Sequence, residues 1–174
     1  MKKLQRQANT PHYVPDYIAR SLQEIDFAAL KAAGIRFVAF DADATLVPYR
    51  GTEITPDIQR YLQQNRKHFS SWCIASNRIT NDLAPLGEAI DAQVIRATWF
   101  TRKPSRRFFQ WVTEYFDAEP HQIAMIGDKL IADMYGAKRA GFCTVWVEKF
   151  GKDSAHDRLF AVRHLENYLM RRYT

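Results

Sequence analysis

Five short apolar runs, separated by stretches of helical periodicity, constrain this chain more than any other feature. They fall at residues 35–40, 71–75, 92–95, 123–126 and 143–147. Each reads as a strand, too short for a helix, and the runs at 35–40, 71–75 and 143–147 read as buried ones. Between them, Thr55-Pro56-Asp57 predicts a helix start, with Ile58, Tyr61 and Leu62 inward and an end near His68. Thr80 or Asn81 is expected to cap a helix holding Leu83, Leu86 and Ile90, with Pro85 in its first turn. Ser105 is expected to cap another whose inner face is Phe108, Phe109, Trp111, Val112, Tyr115 and Phe116, a core stripe by its spacing. Residues 131–140 read as a helix stopped by Gly141. Residues 13–33 read as a short helix or two with Phe27 and Leu30 on one face, stopped by Gly34. Strand and helix alternate throughout, which implies right-handed crossovers. The expected fold is a doubly wound α/β domain with a mainly parallel sheet.

At 174 residues the chain is expected to be one domain, 1–174, with an N-terminal arm over about 1–20 and a basic helix over about 156–172. The net charge of +6 favours an anionic partner: a phosphorylated substrate, an acidic lipid surface or nucleic acid. A merely solubilising surface charge is the other reading. No run approaches the length of a membrane span, and the first residues lack the apolar core of a secretory signal, so a cytoplasmic location is expected. Cys73 and Cys143 fall in predicted strands and are expected to stay reduced.

Acidic residues cluster where such a sheet binds ligands, beyond the carboxyl ends of its strands. Asp41-Ala42-Asp43-Ala44-Thr45-Leu46 follows the first strand directly, and Ser76 follows the second. Lys103 precedes the aromatic helix, and Gly127-Asp128 with Asp133 follows the fourth strand. Singly, each has an ordinary structural explanation; in this order they describe a magnesium-dependent phosphoryl-transfer site. No P-loop, dinucleotide-binding glycine motif or paired zinc-ligand histidines accompany them.

This set resembles the four motifs of haloacid dehalogenase (HAD) superfamily phosphatases over nearly the whole chain. The resemblance implies that Asp41 is the nucleophile, forming an aspartyl-phosphate, and that Asp43 is general acid and then general base. Asp41 and Asp128 would bind Mg²⁺ by carboxylate oxygens and Asp43 by its backbone carbonyl, leaving the Asp43 side chain free. Asp133 would orient the metal site from behind. Lys103 would offset phosphoryl charge, Ser76 and the amides around Asn77 would donate to phosphate oxygens, and Thr45 would brace the first loop. A cation is needed because two unit charges about 4 Å apart repel by roughly 4 kcal/mol at an effective dielectric near 20. Position 44 is alanine, where the family usually has glycine or asparagine.

The intervals 46–76 and 76–103 are filled by one loop, one helix and one strand each, so a capless enzyme with an open site is expected. Residues 25–35 and 132–144 are similar to the subfamily IIIA branch, which includes YqeG-type and mitochondrial phosphatidylglycerophosphate phosphatases. That points to phosphatidylglycerophosphate, a lipid-borne phosphomonoester, with a soluble sugar or nucleotide phosphate as the alternative. Arg158, Arg163, Arg171 and Arg172, set among apolar residues, suit either an amphipathic helix on an anionic membrane or a terminal helix packed on the sheet. A nucleic-acid-binding protein retaining the fold is the reading from another class, and the chain lacks the interleaved aromatics of a stacking platform. A second subunit is compatible with an open site.

Overall fold

The structure, a computed structural model, describes residues 1–4, 11–80 and 83–151. The basic helix expected over about 156–172 lies outside them. The described elements run β1 (Lys2–Lys3), β2 (Tyr17–Ala19), α1 (Phe27–Ala32), β3 (Phe37–Phe40), α2 (Pro56–Asn65), β4 (Ser71–Ser76), α3 (Ala84–Ile90), β5 (Gln93–Arg96), α4 (Arg106–Phe116), β6 (Ile123–Gly127), α5 (Gly136–Arg139) and β7 (Cys143–Val147). They build one sheet in the order β1-β2-β7-β6-β3-β4-β5. All its pairs are parallel except β1 with β2.

Side chains alternate between two cores, as a sheet covered on both faces requires. Val38, Phe40, Trp72, Ile74, Ala124 and Ile126 pack with Phe27 and Leu30 of α1, Ile58 and Leu62 of α2, and Leu86 and Ile90 of α3. Ala39, Cys73, Ala75, Ile123 and Met125 pack on the other face with Phe108, Phe109, Val112 and Phe116 of α4 and Ala137 of α5. The aromatic stripe of α4 is thus core, with the exception of Tyr115, which is 41% exposed. Ser105 caps α4, its hydroxyl accepting from Phe108 N at 3.3 Å. Gly34 and Gly141 stop their helices with φ of +92° and +89°, conformations that glycine adopts without strain. Cys73 and Cys143 are free thiols, and burial raises both well above the ordinary thiol range.

The helices expected over 13–33 and 131–140 are present, with two local additions. Residues 13–33 hold α1 and a single 3₁₀ turn (Leu22–Glu24), while Tyr17–Ala19 is a strand along β7. Three residues cannot display a period of two, and a buried ion pair fixes them instead: Asp16 accepts from Lys138 Nζ and from Thr144 N and Oγ1, both at 2.9 Å. The helix expected over 131–140 opens with a π-helical turn, Leu130–Tyr135. There the amides of Asp133 and Met134 both bond to the Lys129 carbonyl, at 3.0 and 3.2 Å. Such turns are frequent at functional sites.

The chain leaves β3 on one side towards β4 and returns to its other side as β6. That reversal of strand order opens a crevice at the carboxyl end of β3, where Asp41 stands.

Candidate active site

Asp41 is the first residue past β3, and its amide donates to Ile126 O of β6 at 2.8 Å, extending the ladder by one rung. The loop then turns back tightly, Leu46 N and Val47 N both donating to Ala42 O at 3.0 and 3.2 Å. Ala44 sits in this turn at φ +60°, a left-handed conformation that glycine or asparagine would adopt with less strain. Thr45 is buried, but its hydroxyl has no partner among the described residues; the backbone, rather than Thr45, closes the loop.

Three loops bring the charged residues together. One carboxylate oxygen from each of Asp41, Asp128 and Asp133 lies within 4.8 Å of the others, and all three residues are buried. Lys103 Nζ sits between two of them, 2.6 Å from Asp41 Oδ1 and 2.6 Å from Asp133 Oδ1. Burial works against the charge on Lys103, yet Asp133 and Asp41 outweigh it and hold the ammonium above its ordinary range. Asp133 spends its other oxygen on Lys129 N, at 3.0 Å. Both of its oxygens are therefore committed to fixing Lys103 and the loop after β6. Burial, reinforced by Asp41 and Asp133 and eased by Lys129, pushes the Asp128 carboxyl up to about 8.

Asp41 Oδ2 and Asp128 Oδ2 are buried and accept no hydrogen bond among the described residues. Unsatisfied buried carboxylate oxygens are costly, and two of them side by side suit a hard divalent cation that prefers oxygen. The residues present therefore fit Mg²⁺, with Asp41 and Asp128 supplying the open oxygens.

Asp43 departs from expectation: its side chain is not free. Arg78 grips it with two bonds, Nε to Oδ2 at 2.9 Å and Nη2 to Oδ1 at 2.6 Å, while Arg50 N adds a third at 2.6 Å. Burial alone would raise the Asp43 carboxyl, but the Arg78 and Arg50 hydrogen bonds hold it below its ordinary value of 3.8. Such a carboxylate stabilises the fold above that value, and the contribution fades as pH falls through the lower folded pKa. Arg78→Gln is accordingly expected to lose about 3 kcal/mol near neutral pH by stranding a buried carboxylate. Near pH ~3, where the stranded carboxyl takes up a proton, most of that loss should vanish. Urea melts at both pH values read the difference.

Ser76 ends β4, almost fully buried, and its Oγ accepts from Arg78 N at 3.2 Å. Its hydroxyl proton stays available to donate. The Asn77 side chain is committed elsewhere. It clips the Lys103 backbone from both sides, Asn77 Nδ2 donating to Lys103 O at 3.0 Å and Lys103 N to Asn77 Oδ1 at 2.7 Å. Asn77 thereby positions the loop carrying the buried ammonium.

Sequence reasoning missed two cations. Arg78 stands two residues past Ser76, and nothing in the sequence pairs it with Asp43. Lys129 had a visible signal, a lysine directly after the Gly127-Asp128 motif. Its Nζ lies 3.5 Å from Asp128 Oδ1 and 3.9 Å from Asp41 Oδ2. Burial lowers its pKa, but Asp41 and Asp128 raise it further, so Lys129 stays charged.

The comparisons with known proteins agree with this geometry. The family model for mitochondrial PGP phosphatase matches residues 3–150. The probable phosphatase YqeG of Bacillus subtilis (strain 168) is 24% identical over 135 residues, 78% of this chain and 77% of that protein. The chloroplastic phosphatidylglycerophosphate phosphatase 1 of Chlamydomonas reinhardtii is 24% identical over 170 residues, 92% of this chain. This chain spans only 62% of that longer relative. In fold, the chain is similar to a 2-haloacid dehalogenase of Pseudomonas syringae pv. Tomato DC3000, with TM-score 0.55 and 16% identity over 79% of this chain and 99% of that one. With the motif residues gathered at one crevice and the family model running across almost all of the described sheet, the chain is a phosphatase of the HAD superfamily and belongs to the mitochondrial PGP phosphatase family.

Proposed function

We propose that this protein is a Mg²⁺-dependent phosphatase that hydrolyses a lipid-borne phosphomonoester, phosphatidylglycerophosphate, through an aspartyl-phosphate on Asp41. The observation that carries the chemistry is the pair of buried, unbonded oxygens on Asp41 and Asp128 beside Lys103. A bound Mg²⁺ would neutralise phosphate charge there and lower the repulsion that Asp41 meets. Asp41 attacks phosphorus and the ester oxygen departs. Lys103 and Lys129 supply fixed positive charge against the phosphoryl group, and Ser76 donates to one of its oxygens. Asp43 gives a proton to the departing oxygen and later takes one from the water that hydrolyses the acyl phosphate. It must first part from Arg78, since a carboxylate gripped at both oxygens cannot deliver a proton. Asp133 acts through Lys103 and the Lys129 amide and does not touch the substrate.

Two features support a lipid-borne ester. The family and one of its relatives carry that substrate in their names. Among the described residues, the stretch between β3 and β4 holds only α2 and one 3₁₀ turn, and that between β4 and Lys103 only α3 and β5, so neither carries an inserted cap. No helix among the described residues is long and apolar enough to cross a membrane.

A phosphate-release assay comparing phosphatidylglycerophosphate in mixed micelles with a panel of soluble sugar and nucleotide phosphates tests this. The lipid should be the preferred ester, and EDTA should remove turnover that added Mg²⁺ restores. A strong preference for a soluble ester would overturn the lipid assignment and keep the chemistry.

A further inference from the structure

Two adjacent side chains break the rule that large apolar groups are buried. Trp99 is 80% exposed and Phe100 is 98% exposed. They form the tip of the loop between β5 and Lys103, and that loop is built rather than slack. Thr98 N donates to Thr101 O at 2.8 Å, and Thr101 N donates to Thr98 Oγ1 at 3.0 Å, so the turn closes under the two rings. Its entry is tied to the site by Ala97 N on Ser76 O at 2.9 Å, and its exit by the Asn77 clip on Lys103. The rings are held out into solvent by the same residues that shape the crevice.

Along the chain, the charge flanking the tip has one sign. No aspartate or glutamate occurs from residue 92 through 113, while Arg102, Arg106 and Arg107 are exposed. The last two lie in the first turn of α4, which starts at the carboxyl edge of the sheet. Tyr49, 46% exposed, sits beside exposed Arg50 on the loop after β3, at that same edge. Aromatic tips among arginines, arranged around the mouth of an uncapped crevice, match the chemistry of a membrane–water interface. Rings settle at headgroup depth and guanidinium groups meet lipid phosphates.

We propose that the Trp99-Phe100 turn docks the protein onto an anionic phospholipid bilayer, the rings entering the headgroup–acyl boundary with Arg102, Arg106 and Arg107 on the lipid phosphates. This deepens the proposed function and rests on its lipid-borne substrate. Docked in this way, the carboxyl edge faces the membrane, and the surface itself closes the crevice.

The test is sedimentation of the full chain with vesicles of phosphatidylcholine alone and of phosphatidylcholine mixed with phosphatidylglycerol. Wild-type protein should pellet with the mixed vesicles and much less with the neutral ones. The double variant Trp99→Ser, Phe100→Ser should bind the mixed vesicles at least about tenfold more weakly, as expected for removing two buried rings. Its turnover of soluble para-nitrophenyl phosphate should equal that of wild type, showing an intact site. Equal vesicle binding by both proteins, or no binding by wild type, overturns the proposal. A wild-type dimer that the double variant converts to monomer also overturns it, because the rings would then face a second copy. If wild type binds the mixed vesicles through these rings but hydrolyses no ester, the docking surface stands and the proposed function fails.

Discussion

Asp41→Asn is expected to lower phosphate release by about four orders of magnitude, in keeping with removal of an essential nucleophile, while the fold survives. An amide cannot form the acyl phosphate, and no neighbouring carboxylate can replace it. Asp133 has both oxygens committed, and Asp128, on the loop after β6, is the carboxylate that would hold the metal beside Asp41. Folding should be retained because Lys103 keeps Asp133 as its counter-ion at 2.6 Å, and an amide oxygen at position 41 can still accept from the ammonium. Initial rates on any accepted ester, alongside thermal melts without added metal, read both effects. Full activity in this variant would end the assignment of Asp41.

Lys103→Met should have the largest effect on stability. Its side chain is 1% exposed and its ammonium bonds two carboxylates that are themselves buried, so removing it leaves both uncompensated. Losing one partner of such a pair typically costs about 3–5 kcal/mol. Turnover should fall by about a hundredfold or more, since a fixed cation aimed at the phosphoryl group is lost. The same substitution in an Asp41→Asn background should cost clearly less stability, because one of the stranded charges has already been removed. A double-mutant cycle in urea isolates this coupling. Additive losses would mean that Lys103 and Asp41 do not interact in solution as their 2.6 Å contact requires.

Much of this could be read from the chain alone, for identifiable reasons. The central parallel strands β3, β4, β6 and β7 announce themselves because burial on both faces demands apolar runs, as in Trp72-Cys73-Ile74-Ala75, whereas β5, at the edge, is half-exposed. Asp41, Ser76 and Asp128 are legible because each stands at the end of a recognisable strand, and Lys103 because it stands just before the aromatic helix. The short strands β1 and β2 are not, since two or three residues carry no period and the place of β2 beside β7 goes with the distant contact of Asp16 with Thr144 and Lys138. The grip of Arg78 on Asp43 joins residues 35 positions apart, and no local rule reports it. Trp99 and Phe100 illustrate the limit from the other direction. An apolar pair between a strand and a helix reads as packing material until the fold turns it outward.

The most direct measurement is to trap the covalent intermediate. Asp43→Asn, mixed with para-nitrophenyl phosphate and Mg²⁺, should still accept a phosphoryl group, because nitrophenolate leaves without a proton, but should release it slowly for want of a base. Acid quenching and peptide mass analysis should then find one phosphoryl group on the peptide carrying Asp41, and none when EDTA is present. A variant that releases phosphate steadily while the Asp41 peptide stays unmodified, or that is modified equally well in EDTA, would contradict metal-assisted attack by Asp41.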